Sequence, residues 1–105
     1  MKNKNGDILF EIIGIHSKGR GKLEPYLNEY HFYATEKTRN IKYLQVGAIA
    51  VVDTNFGVKR IMITKFVKPR SEKRMEEIRK FKHTRRIVPE VWTEQVKKMK
   101  RLGKI

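Results

Sequence analysis

Two apolar, β-branched runs, Ala48 to Val52 and Val58 to Val67, flank the stretch Asp53-Thr54-Asn55-Phe56-Gly57. That pattern predicts an antiparallel hairpin, with Gly57 in the left-handed conformation that ends a three-to-five-residue loop carrying a bulge. Asn55 tolerates the same region, and Asp53 is a residue that turn chemistry favours. Ile49 and Val51 share one face of the first strand, and Ile61, Ile63 and Val67 share one face of the second. These faces are expected to meet in the core, each buried side chain contributing ~1.5–3 kcal/mol. Lys59, Arg60 and Lys65 then fall on the rims, and Phe56 at the loop tip reads as an exposed aromatic wedge or stacker or as a tip folded back onto the sheet, with the second expected.

Upstream, ILFEIIGI (Ile8 to Ile15) is apolar on both faces apart from Glu11 and Gly14. It predicts a central or strongly curved strand with a bend or bulge at Gly14. His16 to Lys22 is a loop with two glycines and three cations, readable as a phosphate-gripping loop or as a plain connector. Glu24 to Asn28 reads as a turn and Glu29 to Thr35 as a strand. Alternation sets Tyr30, Phe32 and Ala34 on one face, with Tyr30 and Phe32 as core candidates, and His31 and Tyr33 on the other. His31 and Tyr33 suit either stacking on unpaired bases or aromatic cross-strand pairing. A polar loop with three cations, Glu36 to Lys42, leads back to the hairpin.

Downstream, Pro69 and Ser71 end the sheet, and Ser71 is a good N-cap for a helix from Glu72 to about Lys82. Met75, Ile78 and Phe81 form its apolar stripe. His83 to Val88 reads as a connector or short extended segment with its charge outward. Pro89 fits the first turn of a final helix, Glu90 to Leu102, with Trp92, Val96, Met99 and Leu102 as its stripe and Gly103 as its stop. The expected fold is α+β: a strongly bent antiparallel sheet or small barrel from Ile8 to Val67, followed by two short basic helices packed on it. The 105 residues form one domain in this reading, with a β-rich core over residues 1–67 and a basic helical C-terminal region over residues 68–105.

Charge sharpens the functional side. Lys and Arg number 25 against 11 acidic residues, a net +14. Residues 1–67 carry 11 basic and 6 acidic groups (+5), and residues 68–105 carry 14 and 5 (+9). An excess of this size points to a polyanionic partner. Lys73, Arg74, Arg79, Lys80, Lys82, Arg85, Arg86, Lys97, Lys98 and Arg101 are the expected contacts to a nucleic-acid backbone. No helix-turn-helix pair precedes them, so recognition of backbone or structure, in DNA, RNA or a ribonucleoprotein, is expected rather than base reading.

The absence of cysteine excludes disulfides, thiolate metal sites and cysteine nucleophiles. The three histidines are dispersed, so no metal and no cofactor is expected, and the chain is read as a non-enzyme. Convergence of Asp7, Glu11 and Asp53 on magnesium is the nuclease alternative. The N-terminal apolar stretch is too short and polar for a signal peptide or membrane span, which leads to an expected cytoplasmic location and no membrane partner.

The pattern YHFYAT, a polar loop, then VGAIAVVDTNFGVKRIMITKFV resembles small SH3-like β-barrels, in which a vGd-V-V-t-G strand and hairpin follow an aromatic strand. Ala48 stands where that pattern often has an acidic or polar residue. The resemblance implies recognition of nucleic acid or protein by the barrel's loops. The small, basic, cysteine-free format is similar to proteins of bacterial phages and mobile elements. That similarity implies an alternative: an anti-CRISPR-type inhibitor of a host defence nuclease, binding a Cas protein or its guide RNA.

Overall fold

The structure, a computed structural model, describes residues 8–16, 29–101 and 103. In chain order the elements are β1 (Ile8–His16), β2 (Tyr30–Thr35), a single 3-10 turn (Ile41–Tyr43), β3 (Ala48–Thr54), β4 (Gly57–Val67), α1 (Glu72–Ile78), β5 (Lys82–Val91) and α2 (Thr93–Arg101). The strands close into a barrel in the order β1-β2-β5-β3-β4, with β4 pairing back to β1. Every pairing is antiparallel except β2 with β5. Among the described residues closure leaves no open sheet edge, so these apolar strands offer no template for edge-to-edge association.

The barrel and two short helices agree with the α+β expectation, but the barrel is not complete at Val67. Its fifth strand is the segment read as a connector or short extended piece, here a ten-residue strand, Lys82–Val91, lying between the helices. Pro89 is therefore near the end of a strand, and α2 begins at Thr93 rather than Glu90. Likewise α1 ends at Ile78. Arg85-Arg86 reads unlike a strand because only Thr84 and Ile87 face the interior there, and a register shift opposite Val51/Val52 breaks the alternation.

The core face of β3 is also the opposite of the expected one. Ala48, Ala50 and Val52 point into the barrel against Ile12, Phe32, Ala34, Ile61, Ile63 and Ile87. Ile49 instead pairs with Met62 on the outer surface, where both are covered by Met99, Val96 and Trp92 of the α2 region. A strand reading Ala-Ile-Ala-Val-Val is apolar on both faces, and alternation alone cannot orient it. A narrow barrel interior takes the small alanines, while the larger Ile49 is buried under the helix.

Gly57 has the expected positive φ, 101, but the loop is shorter than expected: only Asn55 and Phe56 separate the strands, with no register shift. Gly57 pairs with Thr54 across the turn, whose Oγ1 accepts from the Phe56 amide and donates to the Gly57 carbonyl. A register shift sits at Ile13/Gly14, and a Cβ on Gly14 would come within 2.6 Å of the Met62 carbonyl oxygen. Ser71 caps α1, its Oγ accepting from the Arg74 amide at 3.1 Å. Met75, Ile78 and Phe81 dock on Ile8 and Tyr33.

The parallel β2/β5 seam has a short register, Phe32 with Lys82 and Tyr33 with His83. Threonines reinforce it. Thr38 Oγ1 donates to the Thr84 carbonyl at 2.8 Å and accepts from the Thr35 amide, while Arg39 exchanges backbone hydrogen bonds with Arg85 and Ile87.

Candidate nucleic-acid interface

The ten expected contact residues do not form one surface. Lys73, Arg74, Arg79 and Lys80 lie on or just after α1, which covers the Ile8/Tyr33 patch of the barrel. Lys97, Lys98 and Arg101 lie on α2, which covers the separate Ile15/Ile49/Met62 patch. Lys82, Arg85 and Arg86 belong to β5 between them.

Three of the ten are engaged internally. Arg74 donates from Nη2 to both oxygens of Glu11, at 2.7 and 2.6 Å, from Nε to Oε1 at 3.1 Å, and from Nη1 to Glu77 at 2.8 Å. Glu11 is buried on the outer face of β1 and is also bonded to His31 Nδ1 at 2.7 Å. Burial pushes the Glu11 carboxyl up, but the hydrogen bonds and charge of Arg74 and His31 outweigh it and hold the group below the ordinary carboxylate value. Arg85 Nε donates to Asp53 at 2.6 Å, and Lys97 lies 3.6 Å from Glu94. Asp53 is thus a strand residue opposite Val58, held by an arginine, rather than a turn former.

Strand pairing assembles a basic row that residue counting along the chain does not show. Val51 on the outer face of β3 pairs with Arg60 of β4 on one side and Arg86 of β5 on the other, and Arg39 bridges Arg86. Arg39, Arg86, Val51 and Arg60 therefore lie in one row across neighbouring strands, with Val51 between Arg86 and Arg60, over roughly 14 Å at normal strand spacing. All three arginines are exposed, and none has a carboxylate partner among the described residues. Of the three, only Arg86 is among the contacts expected from sequence. Arg39 and Arg60 are 21 residues apart, and no linear spacing signals that a bridge joins Arg39 to Arg86 or that Val51 pairs with both Arg86 and Arg60.

Alternation along β4 turns Lys59 the other way, toward the open end of the barrel next to the β3–β4 turn. A cavity of about 700 Å³ opens there. His16, Tyr30, Phe56, Phe81, Lys59 and Lys82 line it. Phe56 is 88% exposed, so the tip does not fold back as expected. Tyr30, read as core, is 43% exposed, whereas Tyr33 is buried beneath α1 beside His83. Of the two residues suited by sequence to stacking, Tyr33 is thus inaccessible and His31 is tied to Glu11. His16 lies edge-on to Tyr30 at 4.7 Å, and burial, helped by the charge of Lys59, lowers its pKa. The remainder of the glycine-rich loop after His16 lies outside the described residues.

The described carboxylates of the nuclease alternative are both committed to arginines, Glu11 to Arg74 and Asp53 to Arg85, and Asp7 lies outside the described residues. Among the described residues no helix is long and apolar enough to cross a membrane. No family model, characterised protein or solved structure matches the chain.

Proposed function

We propose that the protein binds nucleic acid without catalysis, gripping the phosphate backbone of DNA or RNA, alone or within a ribonucleoprotein. The observation that carries this reading is the row Arg39–Arg86–Arg60, three exposed guanidinium groups aligned by strand register with no carboxylate partner among the described residues. A phosphate chain neutralised by such a row releases its counterions, and a net charge of +14 adds attraction at longer range. Lys73, Arg79, Lys80, Lys98 and Arg101 extend the positive field from the helices. Arg74, Arg85 and Lys97 are given secondary weight because carboxylates already hold them.

Fluorescence anisotropy with labelled oligonucleotides over a salt series tests this. Replacing Arg39, Arg60 and Arg86 together by alanine is expected to weaken binding and to flatten the slope of log affinity against log salt by about two to three. Arg85→Ala, which opens an ion pair with Asp53, should change the slope much less. An unchanged slope in the triple variant removes the row from the interface.

One observation favours the reading as an inhibitor of a host defence nuclease: Phe56 presents an apolar ring to solvent at a hairpin tip. Inhibition of a purified Cas nuclease that survives the triple arginine change but is lost in Phe56→Ala would select it.

A further inference from the structure

The geometry points to a second, more specific site at the open end of the barrel, one that takes an unpaired base of a single strand. This inference rests on the nucleic-acid reading and names the form of nucleic acid that the protein prefers. The cavity of about 700 Å³ falls within the range of pockets that hold small molecules, so a nucleotide fits it. Its wall is aromatic: Tyr30, Phe56 and Phe81 line it from three different places in the chain, and Phe56 and Tyr30 carry exposed ring surface. Among the described residues its charged lining side chains are cationic, Lys59 on β4 and Lys82 at the start of β5.

Each feature has an ordinary explanation alone, but together they match one chemistry. Exposed rings in a concave wall offer faces on which a base stacks, and every base has such a face. The two lysines in the wall come from different strands and can meet the phosphates flanking that base, and neither has a carboxylate partner among the described residues. His16 lies edge-on against the Tyr30 ring. A paired base inside a duplex has its faces covered by its neighbours, so the cavity selects for single strands.

The route onward is also built in. Lys59 faces the cavity while the next residue on the same strand, Arg60, faces outward into the arginine row. A strand anchored by one base can therefore pass over the end of the barrel at the β3–β4 turn, its phosphates moving from Lys59 to Arg60 and on toward Arg86.

The test compares a fluorescein-labelled 12-nucleotide mixed-sequence strand, as DNA and as RNA, with the corresponding duplexes, at one fixed salt concentration. Single strands are expected to bind on the order of tenfold more tightly than duplexes. Phe56→Ala and Tyr30→Ala should each weaken single-strand binding on the order of tenfold and leave duplex binding and the salt slope unchanged. Phe56 is so exposed that its removal leaves the core intact, and thermal melting of each variant confirms the fold. Equal affinity for single strands and duplexes, unaltered in Phe56→Ala, overturns the base site and leaves backbone binding standing. Absence of binding to every oligonucleotide at low salt overturns both readings together. Loss of binding to a protein partner in Phe56→Ala, with oligonucleotide affinity unchanged, assigns the tip to a protein surface and overturns the base site.

Discussion

Thr84 shows how a single position inside the barrel carries a cost that its residue type does not announce. Its side chain is fully buried, and its Oγ1 has no hydrogen-bond partner among the described residues, while its carbonyl accepts from Thr38. An unmet hydroxyl in an apolar interior keeps the full penalty of leaving water. Thr84→Val keeps the shape and removes that group, so the variant is expected to be more stable by about 1 kcal/mol in urea unfolding. A loss of stability instead would mean that the hydroxyl is satisfied in solution. Gly14 is the opposite case: its missing Cβ is what lets β1 approach the Met62 carbonyl, so any side chain there has to displace backbone.

At the scale of elements, α1 is too short to be stable by itself and is held by three devices: the Ser71 cap, the Met75/Ile78/Phe81 stripe and the Arg74–Glu11–His31 cluster. The cluster makes its attachment depend on pH. Because the folded pKa of Glu11 lies below the ordinary 4.5, its stabilising contribution is fully present above that value and is lost as pH falls through the folded pKa. In Arg74→Ala the burial remains without its principal counter-charge. Wild type is therefore expected to exceed the variant in stability by most near neutral pH, with the gap narrowing below pH 4.5. Urea titrations across that range check it, and a gap independent of pH would mean that the carboxylate is not what Arg74 anchors.

For the whole molecule, charge acts in two directions. The net +14 makes the folded state repel itself, a cost that added salt screens, whereas salt weakens any grip on phosphates. Raising salt from about 0.1 M to about 1 M shortens the Debye length from ~10 Å to ~3 Å. Melting temperature is expected to rise over that interval while oligonucleotide affinity falls. Affinity that holds at high salt would locate the binding in contacts other than phosphates. The barrel fits this use: closed pairing frees its outer face and open end to carry cations and aromatics without exposing a strand edge.

Local chemistry is legible in the chain itself. The positive φ of Gly57, the Gly14 bulge, the Ser71 cap and the apolar residues Met75, Ile78 and Phe81 near α1 and Trp92, Val96 and Met99 near α2 follow from interactions within a few residues, where propensity and spacing decide the outcome. So is the excess of positive charge, since a sum does not depend on arrangement. Only the tertiary structure decided the rest. It turned Ile49 outward under α2, because a strand apolar on both faces takes its orientation from what covers it. It recruited Lys82–Val91 as the closing strand, because a barrel needs a fifth partner for β2 and β3 and a segment with few inward side chains suffices once both neighbours are in place. It also set Arg39, Arg86 and Arg60 in one row and gathered Tyr30, Phe56 and Phe81 around one cavity. Those contacts join residues far apart in the chain, and register across strands, not sequence spacing, brings them together.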